Sequence, residues 1–167
     1  MKKYKIFDTS AILILLYQAK RPEIFKIITD EGYHILIPKE VYREIKEDFS
    51  IIGELLKEGK IDLLPIIEEE KLEPMRKRHP SFGDGEISVL LTYNDRDSEE
   101  EKYRCIIDDK DAKIFAKESN MDVNGIIGLL LWLKGLGKIN KGVCSDIYMA
   151  LKGNPRLPKD LLEELKR

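Results

Sequence analysis

Acidic side chains stand at several points of this chain where a strand or a helix meets a turn. Asp8 directly follows a short apolar run, as do Asp108 and Asp109, whereas Glu44 and Glu86 lie in stretches with helical spacing. Carboxylates gathered at one point repel one another and raise their own pKa values unless cations neutralise them. Their oxygen atoms favour hard divalent ions such as Mg²⁺ and Mn²⁺. Such a site can activate water and stabilise an in-line displacement at a phosphodiester.

Asp8, Glu44 and Glu86 each also have an ordinary structural explanation. Asp8 precedes a predicted helix, but Thr9 or Ser10 can cap that helix equally well, which leaves Asp8 free for another role. Glu86 lies in the first turn of a predicted helix, where a carboxylate suits the helix dipole. Glu44 lies at the border of an apolar helix face, where surface glutamates are common. Glu44 and Glu86 therefore indicate a site only together with Asp8, whose position at the carboxyl end of a strand favours function.

The cluster Asp108-Asp109-Lys110-Asp111 stands between a predicted strand and a predicted helix. One of Asp108 and Asp109 is expected to cap the helix, while the other faces the crevice beyond the strand. Asp111 falls in the first helical turn, where its charge also suits the dipole. The cluster as a whole is a better candidate site than any single member of it.

Short apolar runs alternate with amphipathic stretches, which predicts strands alternating with helices. Strands are predicted over 5–7, 34–37, 61–64, 103–107 and 121–123. Helices are predicted over 10–17, 24–32, 39–48, 54–57, 67–78, 85–93, 112–118 and 126–136, with two short helices in the tail and a charged loop over 95–102. This alternation predicts an α/β fold of three layers, α/β/α, around a mainly parallel sheet. Ligands of such sheets bind beyond the carboxyl ends of the strands, where Asp8 and Asp108 stand.

The composition indicates one globular domain. A chain of 167 residues, 43% of them hydrophobic, can bury a core without a metal or disulfide staple. Cys105 and Cys144 stand far apart without a neighbouring histidine, so neither a zinc site nor a disulfide is indicated. Both are expected to be buried and reduced in a cytoplasmic protein, and no signal peptide or membrane span is readable. The net charge of −2 neither indicates nor excludes a nucleic-acid partner, because binding depends on local patches.

Four segments resemble, in their order and intervals, the motifs of the PIN-domain family, a metal-dependent nuclease fold that includes the VapC-type ribonuclease toxins. They read IFDTSA over 6–11, IPKEVYREI over 37–45, GDGEISVL over 83–90 and IIDDKDAK over 106–113. Asp-Thr-Ser after a strand is weak by itself, whereas the ordered set of four is fairly specific. The resemblance implies a PIN-like nuclease domain over 1–137, with a helical tail over 138–167 that packs on this domain or extends it.

The resemblance also implies roles for individual residues. The implied catalytic residues are Asp8, Glu44, Glu86, Asp108 and Asp109. The implied ligands of Mg²⁺ or Mn²⁺ are Asp8, Glu44, Glu86 and Asp108 or Asp109, with Asp111 as a further acid. Asp84 is an alternative to Glu86, although Gly-Glu at the start of a helix is closer to the bacterial and archaeal pattern. Thr9 and Ser10 are implied as supporting hydroxyls, with Ser10 forming a hydrogen bond within the site.

One position departs from the pattern of similar proteins. They often carry Gly-Thr before the last main helix, with the hydroxyl near the metal site, whereas this chain has Ile126 there. Asn124 is expected to supply the polar contact instead. An RNA substrate also needs contacts to its phosphates, although each basic candidate could equally be a solvated surface residue. The candidates are Lys20, Arg21, Arg76, Lys77, Arg78, Lys110, Lys113 and Lys117.

The leading hypothesis is a metal-dependent endoribonuclease, either a toxin of a toxin–antitoxin pair or a relative of one. The expected partners are RNA, an antitoxin-like protein and a second copy of the chain. Binding to a membrane is not expected. The alternative is a weak or inactive relative that binds RNA or a protein partner, which the loss of the hydroxyl at Ile126 favours. A receiver domain or an aspartate-nucleophile phosphatase ranks third. A receiver needs an acidic pair at the end of the first strand, and a phosphatase needs a second acid where Ser10 stands.

Overall fold

The central strand of the sheet is β1 (Lys2–Phe7), which leads directly to the first acid. The computed structural model describes residues 1–45 and 50–167, without the side chains of residues 50 and 51. The other strands are β2 (Tyr33–Pro38), β3 (Ile61–Leu64), β4 (Glu101–Ile106) and β5 (Val123–Asn124). All of these strands pair in parallel, in the order β3-β2-β1-β4-β5. Inner parallel strands are buried on both faces, which is why they were readable as apolar runs.

Helices cover both faces of the sheet and complete the three-layer α/β/α architecture. On β1, Lys5 and Phe7 point to the same face, where Phe7 packs on Phe25 and Lys5 approaches Trp132. The helices are α1 (Thr9–Leu13), which continues as a π-helical turn (Ile14–Gln18), α2 (Glu23–Asp30), α3 (Lys39–Glu44), α4 (Ser50–Lys57), α5 (Glu69–Arg78), α6 (Asp84–Arg96), α7 (Lys110–Glu118), α8 (Ile126–Gly135), α9 (Lys141–Leu151) and α10 (Lys159–Lys166).

The path of the chain reverses beside β1. From β1 the chain runs outward through β2 and β3, and it then returns to place β4 and β5 on the other side of β1. Ligands of open parallel sheets bind at such a switch point, beyond the carboxyl ends of the strands. In this fold the switch point lies between the ends of β1 and β4; Asp8 follows β1 directly, and Asp108 follows β4 after Ile107. The topology therefore brings together two acids that are far apart in sequence.

The structure corrects several predicted boundaries. The predicted helix over 39–48 ends at Glu44, because Ile45 is extended, and residues 46–49 of that prediction lie outside the described residues. The loop predicted over 95–102 is shorter, because α6 continues to Arg96 and β4 already begins at Glu101. The predicted helix over 10–17 changes from α-helical to π-helical after Leu13. These differences leave the predicted fold class confirmed.

Candidate metal and nuclease site

Asp8 is the N-cap of α1, and its carboxylate is completely buried. Its Oδ1 accepts a hydrogen bond of 2.7 Å from the N–H of Ala11. The prediction that Thr9 or Ser10 would cap this helix is therefore wrong. Asp8 Oδ2 is buried without a hydrogen bond of normal geometry among the described residues, although the backbone N–H of Asp108 lies near enough to the carboxylate to lower its pKa. A buried carboxylate oxygen without a partner is costly, so Asp8 carries one oxygen that caps a helix and one that is available to a ligand.

Glu44, the last residue of α3, is fixed by two donors from other elements. The hydroxyl of Thr9 donates to Glu44 Oε2 at 2.6 Å, and the N–H of Gly85 donates to Glu44 Oε1 at 2.8 Å. A Cβ atom on Gly85 would stand only 2.8 Å from both Glu44 Oε2 and Thr9 Oγ1. A side chain at position 85 would therefore displace Glu44 or Thr9 from this arrangement. These contacts join the ends of α3, α1 and α6 around one carboxylate.

Glu86 and Asp84, the two alternatives for the third acid, have opposite surroundings. Arg76 binds Asp84 with two hydrogen bonds of 2.8 Å, and this guanidinium holds the pKa of Asp84 below its usual range. Burial instead raises the pKa of Glu86, whose Oε2 accepts the N–H of Gly83 at 2.7 Å. Asp84 is paired with Arg76, so Glu86 is the acid of this pair without a cationic partner in the described chain.

Asp108 and Asp109 divide the two tasks that were expected of them. Asp109 is the N-cap of α7, where its Oδ1 accepts the N–H of Ala112 at 2.8 Å. Asp108 turns the other way and accepts the N–H of Ile126, at 3.2 and 3.0 Å from its two oxygens. The polar contact near this helix start thus comes from the backbone at position 126. The side chain of Ile126 itself is completely buried.

The five acids Asp8, Glu44, Glu86, Asp108 and Asp109 share one electrostatic environment. Burial raises the pKa of Asp8 well above its usual range, and the charges of Asp108 and Glu86 raise it further. Burial raises the pKa of Glu86 as well, with additions from Asp109 and Glu44. Burial also raises the pKa of Asp108. These carboxylates therefore lie close enough to destabilise one another's charged forms.

The donor chemistry of this cluster fits a hard divalent cation. All side-chain atoms of the cluster that could bind a metal are carboxylate oxygens. One of them, Asp8 Oδ2, accepts no hydrogen bond of normal geometry in the described part of the chain. Within residues 1–45 and 50–167, however, no three acidic, histidine or cysteine side chains are arranged as a ready metal-binding group. Amide N–H groups hold the carboxylates instead. The predicted metal ligands therefore stay a prediction.

The remaining predicted site residues lie at the border of the cluster. Asp111 is exposed in the first turn of α7 and is not among the charges that most raise the pKa values of Asp8, Glu86 and Asp108. Ser10 lies beside Asp108 and Asp109, but the hydroxyl that binds a site carboxylate is that of Thr9. The side chain of Asn124 packs against Gly128, whose Cβ would stand 2.9 Å from Asn124 Oδ1.

The predicted phosphate-binding cations fall into two groups. Several already have acidic partners: Arg21 pairs with Glu23 and Asp146, Arg76 with Asp84 and Glu69, and Lys77 with Glu73. Lys110 and Lys113 lie at the acidic cluster itself. A Cβ on Gly125 would stand 2.7 Å from Lys113 Nζ and 2.9 Å from Asp108 Oδ1, which places this ammonium beside that carboxylate. Exposed Lys20, Arg78 and Lys117 complete the set.

A groove of about 540 Å³ opens beside the acids and was not predicted. One wall is formed by Ser10, Gln18 and the π-helical turn, the end wall by Asp108 to Lys110, and the other wall by residues 154–157, between α9 and α10. The sequence indicated residues 153–155 only as a helix break. No local pattern places this segment beside α1, since Asn154 and Gln18, which share a hydrogen bond of 3.0 Å, are 136 positions apart.

Comparison with known proteins gives one finding about the family. A family model described as a PIN domain matches residues 4–167, and thus includes α9 and α10. No curated protein matches the chain. Within the described residues, every helix is too short or too polar to cross a membrane.

Proposed function

The chain belongs to the PIN-domain family, whose members are in general nucleases, and we propose that it is a metal-dependent endoribonuclease. The observation that carries this proposal is the cluster of Asp8, Glu44, Glu86, Asp108 and Asp109 at the switch point of the sheet, in which Asp8 is completely buried and its Oδ2 lacks a partner in the described chain. When bound, Mg²⁺ or Mn²⁺ supplies stabilisation of negative charge at the phosphodiester and lowers the pKa of water.

The protein's own contribution is to hold the carboxylates in place. Thr9 and the N–H of Gly85 fix both oxygens of Glu44, and the N–H of Gly83 fixes Glu86. Each of these donors lies at the start of a helix, so the acids are positioned by rigid elements rather than by mobile loops. Burial keeps bulk water away from Asp8, which strengthens its electrostatic interaction with any charge placed beside it.

The test compares Asp8→Asn with a matched acid outside the cluster. Cleavage of a labelled RNA in the presence of Mn²⁺ or Mg²⁺ is expected to fall to background in Asp8→Asn, because the available oxygen Oδ2 is lost. Asp84→Asn is expected to retain cleavage, because Asp84 is bound to Arg76. Full metal-dependent cleavage by Asp8→Asn would refute the proposal. EDTA should abolish the wild-type activity.

The second candidate function is a PIN-domain protein without catalysis that binds RNA or a protein partner. It is favoured by one observation, the absence of a ready three-ligand group among the described side chains. It predicts that neither Mn²⁺ nor Mg²⁺ supports cleavage of any RNA in a broad panel, while RNA or a partner is still bound. A toxin role, an antitoxin-like partner, a homodimer and a cytoplasmic location stay predictions from the sequence.

A further inference from the structure

We propose that the groove between the π-helical turn and residues 154–157 binds an unpaired RNA nucleotide next to the cleaved bond, and that Arg156 binds its phosphate. This inference rests on the proposed ribonuclease function and names the part of the substrate that the site takes. The groove has a volume of about 540 Å³, within the range of about 300–1,000 Å³ of small-molecule pockets. Asp108 and Asp109 line it, so its occupant lies directly against the acidic cluster.

The charges of the groove favour a phosphate near the acids. Arg156 and Lys110 both line it, both are exposed, and neither forms an ion pair within the described chain. Arg21, Arg76 and Lys77 already have acidic partners. Arg156 and Lys110 differ from the other unpaired basic residues of the described chain because they line the groove. A strand with its scissile phosphate at the carboxylates must place neighbouring phosphates within one or two nucleotides of that point. Lys110 lies on the end wall and Arg156 on the wall formed by residues 154–157, so two different sides of the groove carry a cation that can bind such a phosphate.

The apolar lining of the groove suits a base rather than a bare anion. It is formed by Leu13, Ile14, Pro155 and Leu157, on which a base face can pack. Gln18 lines the same groove and accepts the hydrogen bond from Asn154, while both of its own amide N–H donors remain uncommitted among the described residues. Those donors can bind the edge of a base that has left its stack. A paired base cannot present its face and edge in this way, so the groove selects single-stranded RNA.

Local hydrogen bonds define the backbone on both sides of this groove. The turn Ile14–Gln18 is π-helical, and π-helical turns occur often at functional sites because the extra residue redirects side chains. Opposite to it, Asn154 Oδ1 accepts the N–H of Arg156 at 3.0 Å and thereby fixes the turn that presents Arg156. Both walls are thus specified by hydrogen bonds rather than by packing alone.

The experiment measures RNA binding without cleavage. A short, unstructured, fluorescein-labelled RNA is titrated with protein in EDTA, and its anisotropy is recorded at several salt concentrations. Arg156→Ala is expected to weaken binding on the order of ten-fold, because a charge-assisted hydrogen bond is lost, and to reduce the salt dependence of log Kd by about 0.7. Lys110→Ala should act in the same direction, and Arg156→Lys should restore part of the affinity. The matched control is Lys141→Ala, which removes an equal charge from the far end of α9.

Several results would overturn the inference. They are wild-type affinity in Arg156→Ala, an equal loss in Lys141→Ala, no binding by the wild-type protein, or equally tight, Arg156-dependent binding of a duplex of the same sequence. The exposed Arg156 has no ion pair to lose in the described chain, so Arg156→Ala is expected to fold normally, which a circular dichroism spectrum checks. Because binding in EDTA does not depend on catalysis, Arg156-dependent binding by a protein without metal-dependent cleavage would refute the ribonuclease proposal alone. Metal-dependent cleavage together with RNA binding that does not depend on Arg156 would refute the proposal for the groove alone.

Discussion

Replacing Asp8 by asparagine is expected to stabilise the metal-free protein. Asp8 is completely buried, its Oδ2 has no partner in the described chain, and Asp108 and Glu86 raise its pKa further. A charged Asp8 is destabilised by burial and by these neighbouring carboxylates, and a protonated Asp8 requires proton uptake on folding, whereas an uncharged asparagine avoids both costs and can donate its Nδ2–H to these carboxylates. Leaving a buried polar group unsatisfied costs about 1–3 kcal/mol. Asparagine keeps an oxygen for the N–H of Ala11 and is as good an N-cap as aspartate.

The expected gain in the free energy of unfolding is therefore about 1–3 kcal/mol for Asp8→Asn in EDTA. The measurement is urea denaturation at pH 7, followed by circular dichroism. Asp8→Ala removes the cap together with the charge, so it should be less stable than Asp8→Asn by about 1 kcal/mol. Added Mg²⁺ or Mn²⁺ should stabilise the wild-type protein through binding to the native state and should stabilise Asp8→Asn much less.

Asp109→Asn is the matched control, because Asp109 also caps a helix but is only partly buried. Its stability should lie within about 0.5 kcal/mol of wild type. A loss of stability in Asp8→Asn would refute the reasoning, since it would mean that the buried carboxylate stabilises the native state. An equal gain in Asp109→Asn would also refute it, because the gain would then not depend on burial.

Two further predictions concern Gly85 and Lys5. Gly85→Ala would place a Cβ 2.8 Å from Glu44 Oε2 and Thr9 Oγ1, so RNA cleavage should fall on the order of 100-fold because Glu44 is displaced. The control is Gly135→Ala in α8, whose added Cβ would meet no atom within 4 Å and which should cleave RNA like wild type. Lys5 is buried against Tyr33 and Trp132, and burial lowers its pKa to about 8. Between pH 8 and about 10.5 the unfolded chain then binds more protons at this position than the native state, so the stability that this group contributes rises with pH. Lys5→Met should accordingly be more stable than wild type at pH 7 by up to about 3 kcal/mol, reduced by the energy of the lost contact between the ammonium and the rings. Urea denaturation at a series of pH values should show that this difference in stability shrinks towards pH 10. An advantage that grows with pH, or the same behaviour in exposed Lys3→Met, would contradict it.

The sequence was sufficient for the fold class because the strands of a parallel sheet carry continuous apolar runs. It was insufficient for the cap of α1, because Asp8, Thr9 and Ser10 are all good N-cap residues and only the structure selects among them. Lys5 shows a different limit. Its neighbours Ile6 and Phe7 predicted a strand, but the burial of Lys5 depends on Trp132, which lies on α8.

The groove was unpredictable for a related reason. Arg156 belongs to a segment whose glycine, asparagine and proline indicate only a break between helices. Its position opposite α1 is created by tertiary packing, of which the hydrogen bond from Asn154 to Gln18 is one part. The acids were easier to propose from the sequence, because each lies at an element boundary: Asp8, Glu86, Asp108 and Asp109 near the end of a strand or the start of a helix, and Glu44 at the end of α3. The position of a residue next to the end of a helix or strand can be predicted from sequence, whereas a position that depends on packing against a distant segment cannot.

The structural and functional explanations of the acids are two aspects of one arrangement. Every carboxylate of the cluster accepts an N–H from the start of a helix, and the pairs are Asp8 with Ala11, Glu44 with Gly85, Glu86 with Gly83, Asp108 with Ile126 and Asp109 with Ala112. A helix N-terminus acts as roughly half a positive charge, so α1, α6, α7 and α8 together offset about two of the negative charges. The rest must be balanced by protons or by cations. Burial raises the pKa values of Asp8, Glu86 and Asp108, and neighbouring carboxylates raise those of Asp8 and Glu86 further, which favours protons where no cation is bound. A residue that caps a helix here is therefore not excluded from the site, because the caps are what allow the carboxylates to gather.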